Sequence, residues 1–238
     1  MNTVFKLTLK SALRDPYLLF WSILLPIGGT AGLSLYIQTP AYTQVILTGM
    51  MAVSILFYCL MTTSYTVLGH RRRGVYNLLR VTPMTLFSYI FSISSAWTLI
   101  SVACGLMLVA TGVYWLGIEL SFLSILMLVP MMIIGAIGYV FFSFCISAIS
   151  KTEGNISIIT NILTLPLMLC SSAFYSLSNA PLWIQKISHY NPFQWFVNGL
   201  RSSLSLDWQP YLTSLLLLCL CCVVALVLAI TTFKYRES

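Results

Sequence analysis

The sequence predicts an all-α integral membrane protein of six transmembrane helices, and three observations predict it. The 238 residues are 59% hydrophobic and only 7% charged, with a mean hydropathy of +0.93, against a soluble average near half apolar and a quarter charged. Six apolar runs are long enough to cross a bilayer, whose core takes about 20 helical residues. The basic residues fall almost entirely on one side of those runs, as the positive-inside rule requires.

The N-terminal stretch NTVFKLTLKSALRDP places Lys6, Lys10 and Arg14 on one helical flank and Phe5, Leu9, Ala12 and Leu13 on the next, with Val4 and Leu7 departing from the pattern. That spacing predicts a short helix lying in the cytoplasmic interface and ended by Pro16. From Pro16 to Gly69 no side chain is charged, a run too long for one crossing. Spans are predicted at Tyr17 to Ile37 and Val45 to Leu68. The first run is full span length and lacks a small-residue cleavage site, so it reads as a retained span rather than a signal peptide.

The connection that follows, HRRRGVYNLLRVTP at 70–83, carries four of the chain's twelve Lys and Arg residues. An anchor on the positive side explains arginine, but Val75, Leu78, Leu79 and Val81 also recur at helical spacing before Thr82 and Pro83. Further spans are predicted at Phe87 to Trp115, Phe122 to Ile149, Ile156 to Leu177 and Tyr211 to Phe233. Between the last two, the outer connection 178–210 holds Trp183, Tyr190, Trp195 and Trp208, which suit headgroup depth. Its apolar stretch Pro192 to Leu200 is too short to cross alone, so the segment reads as re-entrant or interfacial. Within it, Asn191 as cap and Pro192 at the first position predict a short helix, with Arg201 near its end beside Asp207.

Assigning the connections alternately puts Lys6, Lys10, Arg14, Arg71, Arg72, Arg73, Arg80, Lys151, Lys234 and Arg236 on one side and only Lys186 and Arg201 on the other. Both termini are therefore expected in the cytoplasm, with the chain a single transmembrane domain over 1–238 in the plasma membrane. A nucleic-acid partner is excluded, because a basic groove interleaved with aromatics needs a soluble surface that this chain lacks.

The chemistry that an intramembrane enzyme needs is missing. His70 and His189 lie in connections, Ser34 has no histidine in any span to serve as base, and no aspartate pair sits at mid-membrane. The seven cysteines lie in apolar runs without neighbouring histidines, which argues against metal or redox work and for small hydrophobes. An ion-coupled carrier needs ionisable groups inside its bundle, yet Asp15, Glu119, Glu153, Asp207 and Glu237 all sit at span ends or in connections. The interior is polar but uncharged: Thr62, Thr63, Ser64, Ser94, Ser95, Asn161, Ser171 and Ser172 suit hydrogen bonds between helices. Nor is there a G-x-x-x-x-G-K-[ST] loop to hold ATP, so a driving nucleotide has to come from a cytoplasmic partner.

Two windows carry a family resemblance. The stretch Thr152 to Arg201 resembles the permease family of type-2 ABC exporters, in which an acidic residue opens the fifth span, a Leu-Pro pair lies inside it, Pro-x-Trp follows outside, and Asn-Pro begins a stretch ending in Arg. Those positions are Glu153, Leu165 and Pro166, Pro181 and Trp183, Asn191 and Pro192, and Arg201. The loop 70–83 is similar to that family's coupling segment at Gly74, Leu78, Leu79, Thr82 and Pro83. It departs at Arg72 and Asn77, commonly acidic there, and at Val75, commonly threonine, while Ser176 stands where proline is frequent.

The resemblance implies a half-transporter with an N-terminal elbow helix, re-entrant outer helices, a second permease half, identical or homologous, and two separate ATP-binding subunits. ATP and magnesium would bind those subunits, leaving this chain without a cofactor and without catalytic or metal-binding residues. Arg71, Arg72, Arg73, Gly74, Leu78, Leu79, Thr82 and Pro83 are expected to form the coupling contact, through a short helix parallel to the membrane over Arg71 to Leu79. The expected cargo is an amphipathic or hydrophobic compound, since the spans offer apolar and hydroxyl surface without fixed charge. Two alternatives are a polysaccharide exporter, for which Tyr17, Phe20, Trp21, Tyr36 and Phe174 should converge on the subunit interface, and a non-transporting immunity or accessory protein. Small residues at Gly28, Gly29, Thr30, Ala31 and Gly32 suit close helix approach, either to a partner or within one bundle.

Overall fold

The computed structural model describes residues 2–14, 20–37, 40–75, 85–118 and 120–235, and among these there is no strand. Helix α1 spans Asn2–Leu13. Helix α2 begins as a π-turn over Phe20–Leu24 and continues over Leu25–Ile37. Helix α3 runs from Pro40–Phe57 through a π-turn at Tyr58–Thr62 into Thr63–Arg72. Then follow α4 at Leu86–Leu116, α5 at Phe122–Ile149, α6 at Glu153–Leu169, a 3-10 turn at Leu177–Asn179, α7 at Leu182–His189, α8 at Pro192–Ser205 and α9 at Trp208–Tyr235.

Among the described residues, four helices are long and apolar enough to cross a membrane: Tyr42–Arg72 of α3, Phe87–Leu116 of α4, Phe122–Ile149 of α5 and Trp208–Thr232 of α9. Helix α6 is apolar but has 17 residues, about 26 Å at 1.5 Å per residue. It was expected to run on to Leu177. Instead it stops at Leu169, because Pro166 removes a donor from its last turn and residues 170–176 leave the helical path.

Local chemistry explains most helix ends. Thr85 accepts a hydrogen bond from Ser88 N at 3.2 Å to start α4, and Gly117 in the left-handed region ends it. Ser121 caps α5 by accepting from Leu123 N, and Thr152 caps α6 by accepting from Asn155 N. Helix α1 packs against α4, with Thr8 and Ala12 buried and Val4, Phe5 and Leu9 half-buried, while Leu13 is exposed. Val4 thus belongs to the packed face and Leu13 does not, the reverse of the sequence-based expectation.

One apolar core joins α3, α4, α5 and α8, with Met51, Ile55, Leu56, Tyr89, Phe144, Phe193 and Phe196 sealed inside. Helix α9 lies against α5 and α8 and turns Leu216, Leu220, Val223 and Val227 outward. Helix α6 packs on this core more lightly, through half-buried Ile159, Leu163, Leu167 and Met168. Only Ile156, Thr160 and Thr164 of its residues are buried, and Ile158, Ile162, Leu165 and Leu169 form an exposed stripe.

Candidate functional site

The charged and capping residues of the two sequence windows meet at the two ends of α6. At its first end, Arg71 and Arg72 are the last residues of α3 rather than the start of a separate helix. Gly74, at φ 71°, lets the chain turn there, a conformation that costs a side-chain-bearing residue about 1 kcal/mol. Leu78, Leu79, Thr82 and Pro83 lie outside the described residues, as does the rest of the expected parallel helix.

Arg71 donates from Nη1 to the carbonyls of Ser147 at 2.9 Å and Ala148 at 3.0 Å, and from Nη2 to that of Ser150. These oxygens sit at the C-terminal end of α5, where four carbonyls lack helical partners and the helix dipole is negative. The guanidinium fork therefore closes the end of α5 within the same chain. Arg72 extends the clamp: Nη2 donates to Lys151 O at 3.0 Å, and Nη1 lies 3.6 Å from Glu153 Oε1. With side chains 48% and 72% exposed, that ion pair is worth at most about 1 kcal/mol. It nonetheless joins the arginine triplet to the acidic residue that opens α6. Arg73 is exposed.

At the other end, the carbonyls freed by the end of α6 and the irregular segment after it are collected by side chains from three elements. Asn191 caps α8 by accepting from Phe193 N at 2.9 Å, and its Nδ2 donates to Leu167 O at 2.7 Å and Cys170 O at 3.0 Å. Arg201 donates from Nη1 to Ser172 Oγ at 2.8 Å and from Nη2 to Ser172 O and, at 3.4 Å, Ala173 O, while Nε reaches Thr48 Oγ1 at 3.4 Å. Gln194 donates to Ser172 Oγ at 2.9 Å and accepts from Ser172 N at 2.6 Å. Tyr42 donates to Phe174 O at 2.9 Å, and Tyr175 donates to Leu169 O. Backbone without helical bonds is tolerated in an apolar bundle only when protein groups satisfy it.

The same segment presses onto α3. A Cβ at Gly49 would lie 2.1 Å from Ala173 O, so only glycine admits this approach. Partial burial pulls the Arg201 pKa down from its ordinary value, yet a guanidinium remains charged at any physiological pH.

The cap and proline at Asn191 and Pro192 are where the sequence places them. Arg201 is not beside Asp207. Leu206 takes φ 60° and redirects the chain, so that Asp207 accepts from Ser205 Oγ at 2.7 Å ahead of α9 while Arg201 turns inward. Pro181 precedes α7, its carbonyl taking Ile184 N at 2.9 Å, and Trp183 is exposed. Leu165 and Pro166 are exposed as well. Sequence reasoning missed Tyr42, Thr48, Gly49 and Gln194. A glutamine three residues into a cap-defined helix, facing a serine pair, was the available signal for the last.

On α2 the small residues divide: Gly29 faces Met50 and Thr30 is buried, bonded to Pro26 O, whereas Gly28 and Gly32 are exposed. Of the five aromatics weighed for a sugar path, Tyr17 and the Trp21 side chain lie outside the description. Phe20 and Tyr36 sit 16 residues apart on α2, about 24 Å along the axis, and Phe174 packs at Gly49. Among the described residues no group of His, Cys, Asp and Glu could hold a metal.

Compared with known proteins, residues 1–205 match a family model described as ABC-2 type transporter. No curated protein matches the chain.

Proposed function

This chain belongs to the ABC-2 type transporter family, and from that premise we propose that it is the permease half of an ATP-driven exporter, working as a pair of permeases over two ATP-binding subunits that bring ATP and magnesium. The arginine end of the bundle is cytoplasmic, in accord with ten of the twelve basic residues. Helices α2 and α6 complete six crossings beside the four long ones, and α1 is the interfacial elbow.

The observation that carries the mechanism is that α6 is tethered at both ends and loosely packed between. Force delivered to the segment after Arg72 passes along α3 and through the Arg71 and Arg72 clamp to the turn joining α5 and α6. Helix α6 then moves against the Asn191, Gln194 and Arg201 tethers at its far end. A packed bundle transmits such displacement between discrete arrangements rather than by gradual deformation. The exposed stripe of α6, with Gly28 and Gly32 on α2, supplies the face for the second permease. An apolar, uncharged path between the two halves favours an amphipathic or hydrophobic cargo such as a drug, antibiotic, peptide or lipid-like compound.

Reconstituting the chain with its ATP-binding subunit and comparing Arg73→Gln and Arg72→Gln/Arg73→Gln with the parent tests the coupling role. Lower cargo-stimulated ATP turnover with unchanged thermal stability supports it. Unaltered turnover in correctly oriented protein reduces these arginines to topology anchors.

A further inference from the structure

We infer that the seam between the π-turn of α3 and the facing side of α4 is a binding site for ordered water inside one permease chain. The two helices run antiparallel in a register that several contacts define. Gly112 faces Leu47, Gly105 faces Ile55, and the Tyr58 and Trp97 rings meet edge to face at 5.5 Å. Further along, Tyr89 hydroxyl lies 2.8 Å from His70 Nδ1. In that register Trp97 and Thr98 fall level with the π-turn, and Ser94 falls level with the turn of helix just after it, which begins at Thr63.

Four polar atoms on this seam have no hydrogen-bond partner among the described residues: Thr63 Oγ1, Ser94 Oγ, Trp97 Nε1 and Thr98 Oγ1. Their side chains are all at least nine-tenths buried, at 0%, 2%, 3% and 6% exposure. The contrast with neighbouring hydroxyls is what gives the observation weight. Ser64 bonds back to Leu60 O at 2.6 Å, Thr66 to Thr62 O at 2.9 Å, Ser92 to Ser88 O at 2.7 Å and Ser101 to Thr98 O at 3.0 Å. A buried serine or threonine in a helix has that carbonyl three or four residues back within reach. Ser94, Thr98 and Thr63 make no such bond, and the indole N–H of Trp97 has no carbonyl of that kind to use.

Leaving a buried polar group unpaired is costly, so four on one seam call for a shared partner. Water is the partner whose chemistry fits. Three hydroxyls both donate and accept while the indole only donates, and a bridging water with two to four such neighbours is the ordinary solution in protein interiors. A π-turn also widens a helix locally and accompanies functional sites, and in apolar bundles water commonly re-satisfies an interrupted helix. A wet seam lets α3 and α4 exchange hydrogen bonds as they shift, which a dry apolar contact does not allow. The inference stands on packing alone and is independent of the transport reading.

Radiolytic hydroxyl labelling of the purified full chain tests it, because bound water generates the radical beside the side chains it touches. Trp97, Tyr58 and Cys59 are expected to show protection about tenfold weaker than that of Phe193 and Phe196, which are equally buried but apolar. The double variant Ser94→Ala/Thr98→Val, which keeps the volume nearly constant, is expected to bring Trp97 to the protection of Phe193. Full protection of Trp97 in the parent chain overturns the site. So does labelling that persists unchanged in the double variant, since the water would then be held elsewhere.

Discussion

Replacing Arg201 by alanine should cost about 3 kcal/mol, because one guanidinium holds the segment in which α6 ends. Two of its bonds, to Ser172 Oγ at 2.8 Å and to Ser172 O, are of full strength, while those to Ala173 O and Thr48 Oγ1 at 3.4 Å are marginal. Hydrogen bonds from a charged donor contribute about 1.5–3 kcal/mol each, and the half-exposed setting argues for the lower figure. Two such bonds give about 3 kcal/mol, or a fall in Tm of about 6–12 °C for a chain of this size. Lysine, a single point donor in place of a planar fork, should recover about half of the loss. Thermal unfolding in one detergent reads both variants, and hydrogen exchange should quicken across 170–176. A Tm for Arg201→Ala within about 1 °C of the parent, the range of an ordinary surface substitution, would refute the reasoning. Asp207→Ala is the control: it removes only a bond to Ser205 and should leave the segment 170–176 as protected as before.

Three further outcomes follow from the same geometry. Arg71→Gln should lower stability by about 2 kcal/mol by opening the carbonyls at the end of α5, whereas Arg72→Gln should cost under about 1 kcal/mol because its ion pair is solvated; urea or thermal unfolding separates the two. Asn191→Ala removes both a cap and two bonds to the end of α6, so a loss of about 2 kcal/mol is expected, with faster exchange of the amides at 167–170. Gly49→Ala puts a methyl 2.1 Å from Ala173 O and must displace the segment, which a fall in Tm of at least about 6 °C would register.

Long apolar runs were legible because bilayer thickness and backbone hydrogen bonding leave helices of span length as the solution. The boundaries of α5 agree with the sequence at both ends, and those of α4 within a residue. The Asn191 and Pro192 cap was legible because its geometry is local. Contacts that depend on where the chain goes next were not. Arg201 and Asp207 are close in sequence and opposite in charge, but a left-handed Leu206 lies between them and sends one inward and the other to the next helix. Likewise, adjacent arginines do not reveal that one will find the exposed carbonyls of a helix 76 residues away. The early end of α6 was half legible: Pro166 is visible, yet the Asn191, Gln194 and Arg201 side chains that make an irregular segment affordable come from other elements.

The central claim, that this chain is an ATP-driven permease whose α6 moves between two end tethers, is tested most directly by the distance between the middle of α6 and α9 during turnover. The measurement is double electron–electron resonance between labels at Ile162 and Thr213, on α6 and on α9, in a complex with the ATP-binding subunit. The account predicts a distance distribution that shifts when ATP is bound and returns after hydrolysis. A distribution that is identical with and without nucleotide, in a complex that still exports its cargo, would contradict it.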